Sequence, residues 1–243
     1  MSQTQRTTPK PNVESRWAAD PYPDYVAEVN RAIAFSGVEQ SFFARGKARR
    51  MLEVLRRSGR DPGAMNLIDI GCGVGLLHPF IVGDFREIVG IDVARDALER
   101  AEGANPRVRY LAYDGRRLPV DSASFDVAVA ICVMHHVPPD QWPSFVEEAR
   151  RALRPGGWLM VFEHNPWNPL TRLAVARCPF DFDAVLLSPT RLSKLLREGG
   201  FDDVRAEFLF FTPFSHAVAE RLERRLRWLP AGAQYVAIGR RAK

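Results

Sequence analysis

Asp69 stands two residues before three glycines at alternate positions, Gly71, Gly73 and Gly75, with Cys72 between the first two. Glycine lets a backbone turn sharply and lets a ligand come close, because no Cβ intervenes. A dinucleotide-binding turn has the spacing G-x-G-x-x-G and faces a pyrophosphate. Here the third glycine arrives one residue early and a carboxylate stands just ahead of the turn. That pairing suits a zwitterion carrying an ammonium and a sulfonium better than a diphosphate. Downstream, Asp92 closes one apolar run, Asp114-Gly115 follows another, and His135, His136 and His164 follow two more. Histidine titrates near neutrality, so all three are candidate general bases.

These residues need elements to hold them. Leu67–Ile70, Glu87–Asp92, Val108–Leu111, Val127–Ile131, Trp158–Glu163, Asp203–Phe211 and Gln234–Gly239 read as seven strands. Helices are expected over about 76–84, 140–153 and 214–228, and near Ser188-Pro189 with Ser188 as cap. The first of these would offer free N–H groups behind the glycine turn. Arg154-Pro155-Gly156-Gly157 reads as a stop and turn. Alternating strands and helices predict an α/β fold, a doubly wound and mostly parallel seven-stranded sheet. Right-handed crossovers then gather the strand C-termini, and with them Asp69, Asp92, Asp114, Cys132 and Glu163, at one edge. Residues 1–20 read as a disordered tail and 21–243 as one domain. Residues 21–60 form its helical cap, broken near Gly37, and 164–187 an insertion.

The run Asp69 to Gly75 resembles the first motif, D-x-G-x-G-x-G, of class I S-adenosylmethionine-dependent methyltransferases. Leu118-Pro119-Val120 through Phe125-Asp126, the pair His135-His136, and Leu153-Arg154-Pro155-Gly156-Gly157 match later motifs of that family at the right distances. The likeness covers about residues 40–210 and is closest to the ubiquinone/menaquinone-like group. It implies a Rossmann-like methyltransferase fold with an N-terminal helical lid, and S-adenosyl-L-methionine as cofactor. By the same resemblance Asp69, Gly71, Cys72, Gly73 and Gly75 hold the cofactor, Asp92 with Val93 the ribose, and Asp114 with Gly115 the adenine amino group. Cys132 lies beside the cofactor, and Arg45 and Lys47 are candidates to meet its carboxylate. Read without the resemblance, Asp92 is an acid favourable to a helix N-terminus and Asp114-Gly115 a turn.

The remaining composition narrows the acceptor. With 46% hydrophobic and 26% charged residues the chain is an ordinary globular one, and no apolar run approaches the ~20 residues that span a bilayer. A net charge of +5 comes with only four lysines, Lys10, Lys47, Lys194 and Lys243, among 34 basic residues. The arginines are scattered among acids, unlike the clustered footprint of a nucleic-acid binder. Three cysteines without C-x-x-C spacing predict neither disulfides nor a metal site, and a cytoplasmic location. No N-P-P-Y follows the fourth strand, and Ile131 rather than proline precedes Cys132, so nucleic acid is not the expected acceptor. A small molecule is: a lipid, quinone, phenol or natural-product intermediate. The stretch 164–187, with Pro166, Pro169, Pro179, Trp167, Phe180 and Phe182, is the expected acceptor wall. Two other functions fit parts of this pattern: a non-catalytic S-adenosylmethionine-binding regulatory module, and an NAD-dependent oxidoreductase.

Overall fold

The computed structural model describes residues 25–243; the expected tail at 1–20 and the start of the cap lie outside the described residues. Seven strands form one sheet: β1 (Asn66–Ile70), β2 (Glu87–Asp92), β3 (Arg109–Ala112), β4 (Phe125–Ile131), β5 (Leu153–His164), β6 (Phe201–Leu209) and β7 (Gln234–Arg241). Their order is β3-β2-β1-β4-β5-β7-β6. β1 to β5 pair in parallel, and β7 runs antiparallel to both β5 and β6. The chain reverses its strand order after β3, so β1 and β4 are neighbours at a switch point. In such sheets the crevice beyond the strand C-termini is where ligands bind.

Strand composition explains the burial. In β4, Val127 and Val129 belong to one core, Ala128 and Ala130 to the other. Both faces of a central parallel strand are covered, so the run is apolar throughout. One face carries α4 (Trp142–Ala152) and α6 (Pro189–Glu198), packed through Trp142, Val146, Leu192 and Leu196. The other carries α2 (Gln40–Arg57), whose Met51 and Leu55 meet Leu67, Val127 and Met160. α3 (Arg95–Ala104) follows β2, α5 (Pro169–Arg177) lies in the expected insertion and α7 (Ala217–Leu226) between β6 and β7. Among the described residues no helix is long and apolar enough to cross a membrane.

The cap is split as expected. α1 (Tyr25–Ile33) continues into a short 3-10 turn that ends at Gly37 in the left-handed region, φ 72°, before α2 begins. Ser188 caps α6, its Oγ accepting from Arg191 N–H. Two expectations are corrected. No α-helix covers 76–84. Only a 3-10 turn forms at His78–Phe80, because Pro79 cannot donate and the backbone closes instead through three-residue turns such as Phe80 N–H to Leu77 O. α4 does stop at Ala152, just before Arg154-Pro155-Gly156-Gly157, as expected, but that run is not a separate turn ahead of the strand. It is a bulge inside β5, where the register against β4 shifts between Phe125 and Val127.

Candidate cofactor and acceptor site

A continuous cavity of about 780 Å³ opens at the C-terminal edge of the parallel strands. Asp69, Asp92, Asp114 and Cys132 all line it, and Glu163 lies fully buried behind it. The topology therefore brings together the five strand-end groups that the alternation of elements predicts.

The glycine turn has three different jobs for its three glycines. All adopt positive φ, 76°, 52° and 74°. A Cβ on Gly71 would stand 2.5 Å from Val133 Cγ2, so this residue packs against the segment after β4. A Cβ on Gly73 would meet nothing within 4 Å, because it would project into the cavity. Gly75 does not line the cavity; its missing Cβ makes room for Tyr110 Oη at 2.8 Å and His78 Nδ1 at 3.0 Å. The expected cofactor contact at Gly75 is thus replaced by a packing role.

Those neighbours form a buried polar chain that no spacing rule flagged. Asp69, 2% exposed, accepts from His78 Nε2 at 3.1 Å. That bond fixes the tautomer, leaving His78 Nδ1 to accept from the Tyr110 hydroxyl at 2.6 Å. The chain holds one Asp69 oxygen and leaves Oδ1 without a hydrogen bond at the cavity wall. A polar residue in the run Leu76-Leu77-His78 is the one local signal that could have found it.

Asp92 braces the turn from below. Its Oδ2 accepts from Gly73 N–H at 2.7 Å and its Oδ1 from Ala94 N–H at 2.9 Å. Burial pushes its carboxyl above the usual carboxylate range, against these backbone bonds. Val93 and Gly115 line the cavity beside it. Asp114 is exposed, and its Oδ1 accepts from the N–H groups of Arg116 and Arg117, which holds its pKa low.

Of the two expected cations only Lys47 reaches the site. Arg45 lies over the Phe80 ring at 5.5 Å and does not line the cavity, because it projects from α2 toward the turn after β1. Lys47, buried, sends its ammonium to within 3.5 Å of Cys132 Sγ. Burial pushes the Cys132 thiol up, but Lys47 and then His164 overcome it and bring it down to about 7. Burial holds Cys178 up at about 12 and raises Cys72 further still. In protein without cofactor, Cys132 should therefore be alkylated well ahead of the other two as pH rises through about 7. Peptide mass spectrometry after graded iodoacetamide checks this, and Lys47→Met should move the midpoint upward.

The histidines separate. His135 is 1% exposed and donates from Nδ1 to Glu163 Oε2 at 2.6 Å, while Nε2 faces Asp181 Oδ1 at 3.4 Å. Burial disfavours its charge, yet the two carboxylates hold its pKa well above the ordinary value. His136 also faces Asp181 Oδ1, at 3.5 Å, and burial beside charged His135 lowers it to about 4. Asp181 is pulled down to about 2, burial being outweighed by its bond to His135 and by the neighbouring histidines. His164 ends β5, lines the cavity and has its ring 5.1 Å from that of His135. Asp181, on the 3-10 turn Pro179–Asp181, is a site residue that residue spacing could not supply.

The insertion forms one wall of the cavity through Leu170, Phe180, Asp181 and Phe182, and α1 covers it, with Tyr25 and Phe180 rings 4.7 Å apart. Asn165 anchors its start by donating to Pro230 O and Gly232 O. Trp167 lies outside the cavity, half exposed against Phe208, which removes it from the expected apolar lining.

A family model described as a methyltransferase domain matches residues 68–161. An uncharacterized methyltransferase of Synechocystis is 31% identical over 149 residues, 60% of this chain and 70% of that protein. The chain belongs to the class I S-adenosylmethionine-dependent methyltransferases. A probable S-adenosylmethionine-dependent methyltransferase of Mycobacterium tuberculosis is 30% identical over 68% of this chain, which spans 59% of that relative's length. A Thermotoga maritima structure titled a possible histamine N-methyltransferase superposes with a TM-score of 0.62 at 20% identity, over 88% of this chain and 94% of that one. As a methyltransferase the protein uses S-adenosylmethionine. The open space at Gly73, the orphaned Asp69 Oδ1 and the acid ending β2 fit a ligand carrying an ammonium, a sulfonium and a ribose.

Proposed function

We propose that this methyltransferase passes the methyl group of S-adenosylmethionine to a small-molecule acceptor seated between the 164–187 insertion and α1. One observation carries the reading: the cavity that contains the glycine turn runs without a break to Phe180, Phe182 and Leu170, and α1 roofs it. A deep, partly open and largely apolar cavity with a few convergent polar groups suits a lipid, quinone, phenol or natural-product scaffold better than a polymer. In this reading Asp69 Oδ1 takes the cofactor ammonium, Gly73 lets its backbone close in, and Asp92 holds the ribose hydroxyls. Asp114 Oδ2 takes the adenine amino group, since Oδ1 is already committed to backbone N–H groups. Transfer is an in-line displacement at an already activated carbon, so the protein's main contribution is orientation. The acceptor atom bonds to the methyl carbon as the carbon–sulfur bond breaks, and the sulfonium leaves as a neutral thioether.

S-adenosylhomocysteine release, followed with a panel of phenols, hydroquinones and hydroxylated lipids, tests the proposal. Turnover with members of the panel supports it. Cofactor binding with no turnover on small or polymeric acceptors would favour the non-catalytic module.

The ribose assignment gives a second expected result. Asp92→Asn should weaken S-adenosylmethionine binding by about 1.5–3 kcal/mol, roughly 10–150-fold, the scale of a hydrogen bond to a charged group. Asparagine keeps an oxygen for one backbone N–H, so the turn is retained better than with alanine. Calorimetric affinity equal to wild type would return Asp92 to bracing Gly73 alone.

A further inference from the structure

The acceptor end of the cavity carries a constellation that methyl transfer itself does not require. His135, His136 and Asp181 each offer one donor atom, and these atoms all lie within 4.8 Å of one another. Two of the edges are 3.4 Å and 3.5 Å, each from a histidine Nε2 to Asp181 Oδ1. Ligands about 2.0–2.1 Å from a tetrahedral cation stand about 3.3 Å apart, so both edges already have the separation of atoms sharing one ion. We propose that His135, His136 and Asp181 form a site for a divalent transition cation on the acceptor wall.

Two independent features support it. The first is the support behind the ligands. His135 donates its Nδ1–H to fully buried Glu163, whose other oxygen accepts from Met134 N–H at 2.8 Å. A carboxylate behind one imidazole nitrogen, turning the other toward a shared point, is the usual way a ligating histidine has its tautomer and ring plane fixed. The second is a weakly met atom. His135 Nε2, on a residue 1% exposed, has only Asp181 Oδ1 to answer it, at 3.4 Å. That distance is longer than a charge-assisted bond. A cation between the three replaces that loose pair with direct bonds.

The donor set selects the kind of ion. Two imidazoles and one carboxylate favour zinc, iron(II), cobalt(II) or manganese(II) over magnesium or calcium, which prefer oxygen. Three protein ligands leave coordination positions open, as catalytic rather than structural sites do. Because all three ligands line the cavity, the open positions face the acceptor. The inference rests on the methyl-transfer reading only for its use: the ion would bind and polarise an acceptor oxygen, which points to hydroxylated or enolic acceptors.

Metal binding is measured on the full chain, stripped with chelator, with cobalt(II) absorbance for geometry and zinc(II) calorimetry for stoichiometry. S-adenosylhomocysteine affinity is measured on the same samples. One ion per chain is expected, with the cobalt spectrum of a site containing nitrogen ligands. Asp181→Ala and His136→Ala should each weaken zinc by at least about 100-fold, and Glu163→Gln by about 10–100-fold. Each variant should keep the wild-type circular dichroism and S-adenosylhomocysteine affinity. Because Glu163 is buried, Asp181→Asn, at a less buried residue, serves as the check if Glu163→Gln does not fold. No stoichiometric ion in wild type, or zinc affinity within threefold of wild type in Asp181→Ala, overturns the site and leaves a simple ion-pair latch. Stoichiometric zinc with no S-adenosylhomocysteine binding would instead remove the methyl-transfer reading while leaving the metal site standing.

Discussion

Methylation by the His164→Ala protein is expected to fall by about 10²–10⁴-fold, the range for loss of a general base, with cofactor affinity near wild type. The expectation follows from the different surroundings of the three histidines. His135 is locked between Glu163 and Asp181, so neither ring nitrogen is free to receive the acceptor's proton. His136 is neutral near pH 7, but with its pKa at about 4 it is a poor proton acceptor. His164 ends β5 on the cavity wall, at the start of the insertion and beside Cys132 and His135. It is the histidine with a position suited to take a proton from an acidic acceptor. Single-turnover rates at saturating cofactor, compared across His164→Ala, His135→Ala and His136→Ala, check this. A wild-type rate in His164→Ala would mean the acceptor arrives already nucleophilic or loses its proton elsewhere.

The largest stability effect is expected far from the chemistry, at Arg50→Ala. Arg50 is 5% exposed and joins α2 to the sheet: its guanidinium lies 3.0 Å from Glu53 and 2.6 Å from Glu207 on β6. Arg227 completes the cluster against Glu53 at 2.7 Å. Deleting Arg50 removes one cation from two half-buried carboxylates that keep Arg57 and Arg227 at Glu53 and Arg205 at Glu207, so the cost is that of a charge-assisted hydrogen bond, about 1.5–3 kcal/mol. Burial acts to raise Glu53 and Glu207, but the arginines outweigh it and lower both. A carboxylate with a depressed folded pKa stabilises the fold above its unfolded value near 4.5, and loses that contribution as pH falls through the folded one. The gap between wild type and Arg50→Ala should therefore be full at pH 6–7 and narrow below about 4.5. Urea melts at both ends of that range measure it. A gap that persists unchanged at low pH would mean Arg50 acts through packing of its aliphatic stem.

How much of this was legible beforehand differs by physical cause. Strand runs such as Val127–Ile131 are readable because both faces of a central parallel strand are buried, and the strand-end acids then follow from connectivity. Gly71 and Gly73 could be read as a ligand turn, but the packing role of Gly75 depends on Tyr110, 35 residues further along. His78 escapes for the same reason, since its partners lie on β1 and β3. The missing helix at 76–84 shows local chemistry overriding pattern: the apolar spacing fits, but Pro79 breaks the ladder. Arg45 and Lys47 are two residues apart on α2, so they leave the helix in different directions and only one can face the cavity. Asp181 comes from a 3-10 turn whose position is set by contacts such as Val185 N–H to His135 O, which no linear spacing encodes.

β7 has a bearing on how the chain is made. It sits between β5 and β6 and, among the described residues, is the only sheet neighbour of β6. On a ribosome, β5 emerges with one edge paired to β4 and the other bare, and β6 emerges with no strand to join. At roughly 5–20 residues per second, about 70 residues of synthesis separate the end of β5 from the start of β7, an interval of several seconds. Throughout it the apolar run Trp158–Phe162 presents unpaired backbone groups that another nascent chain could capture. The half-sheet β1–β5 therefore has to survive as an open-edged intermediate, and stalled or truncated translation before residue 234 would yield a species prone to aggregate.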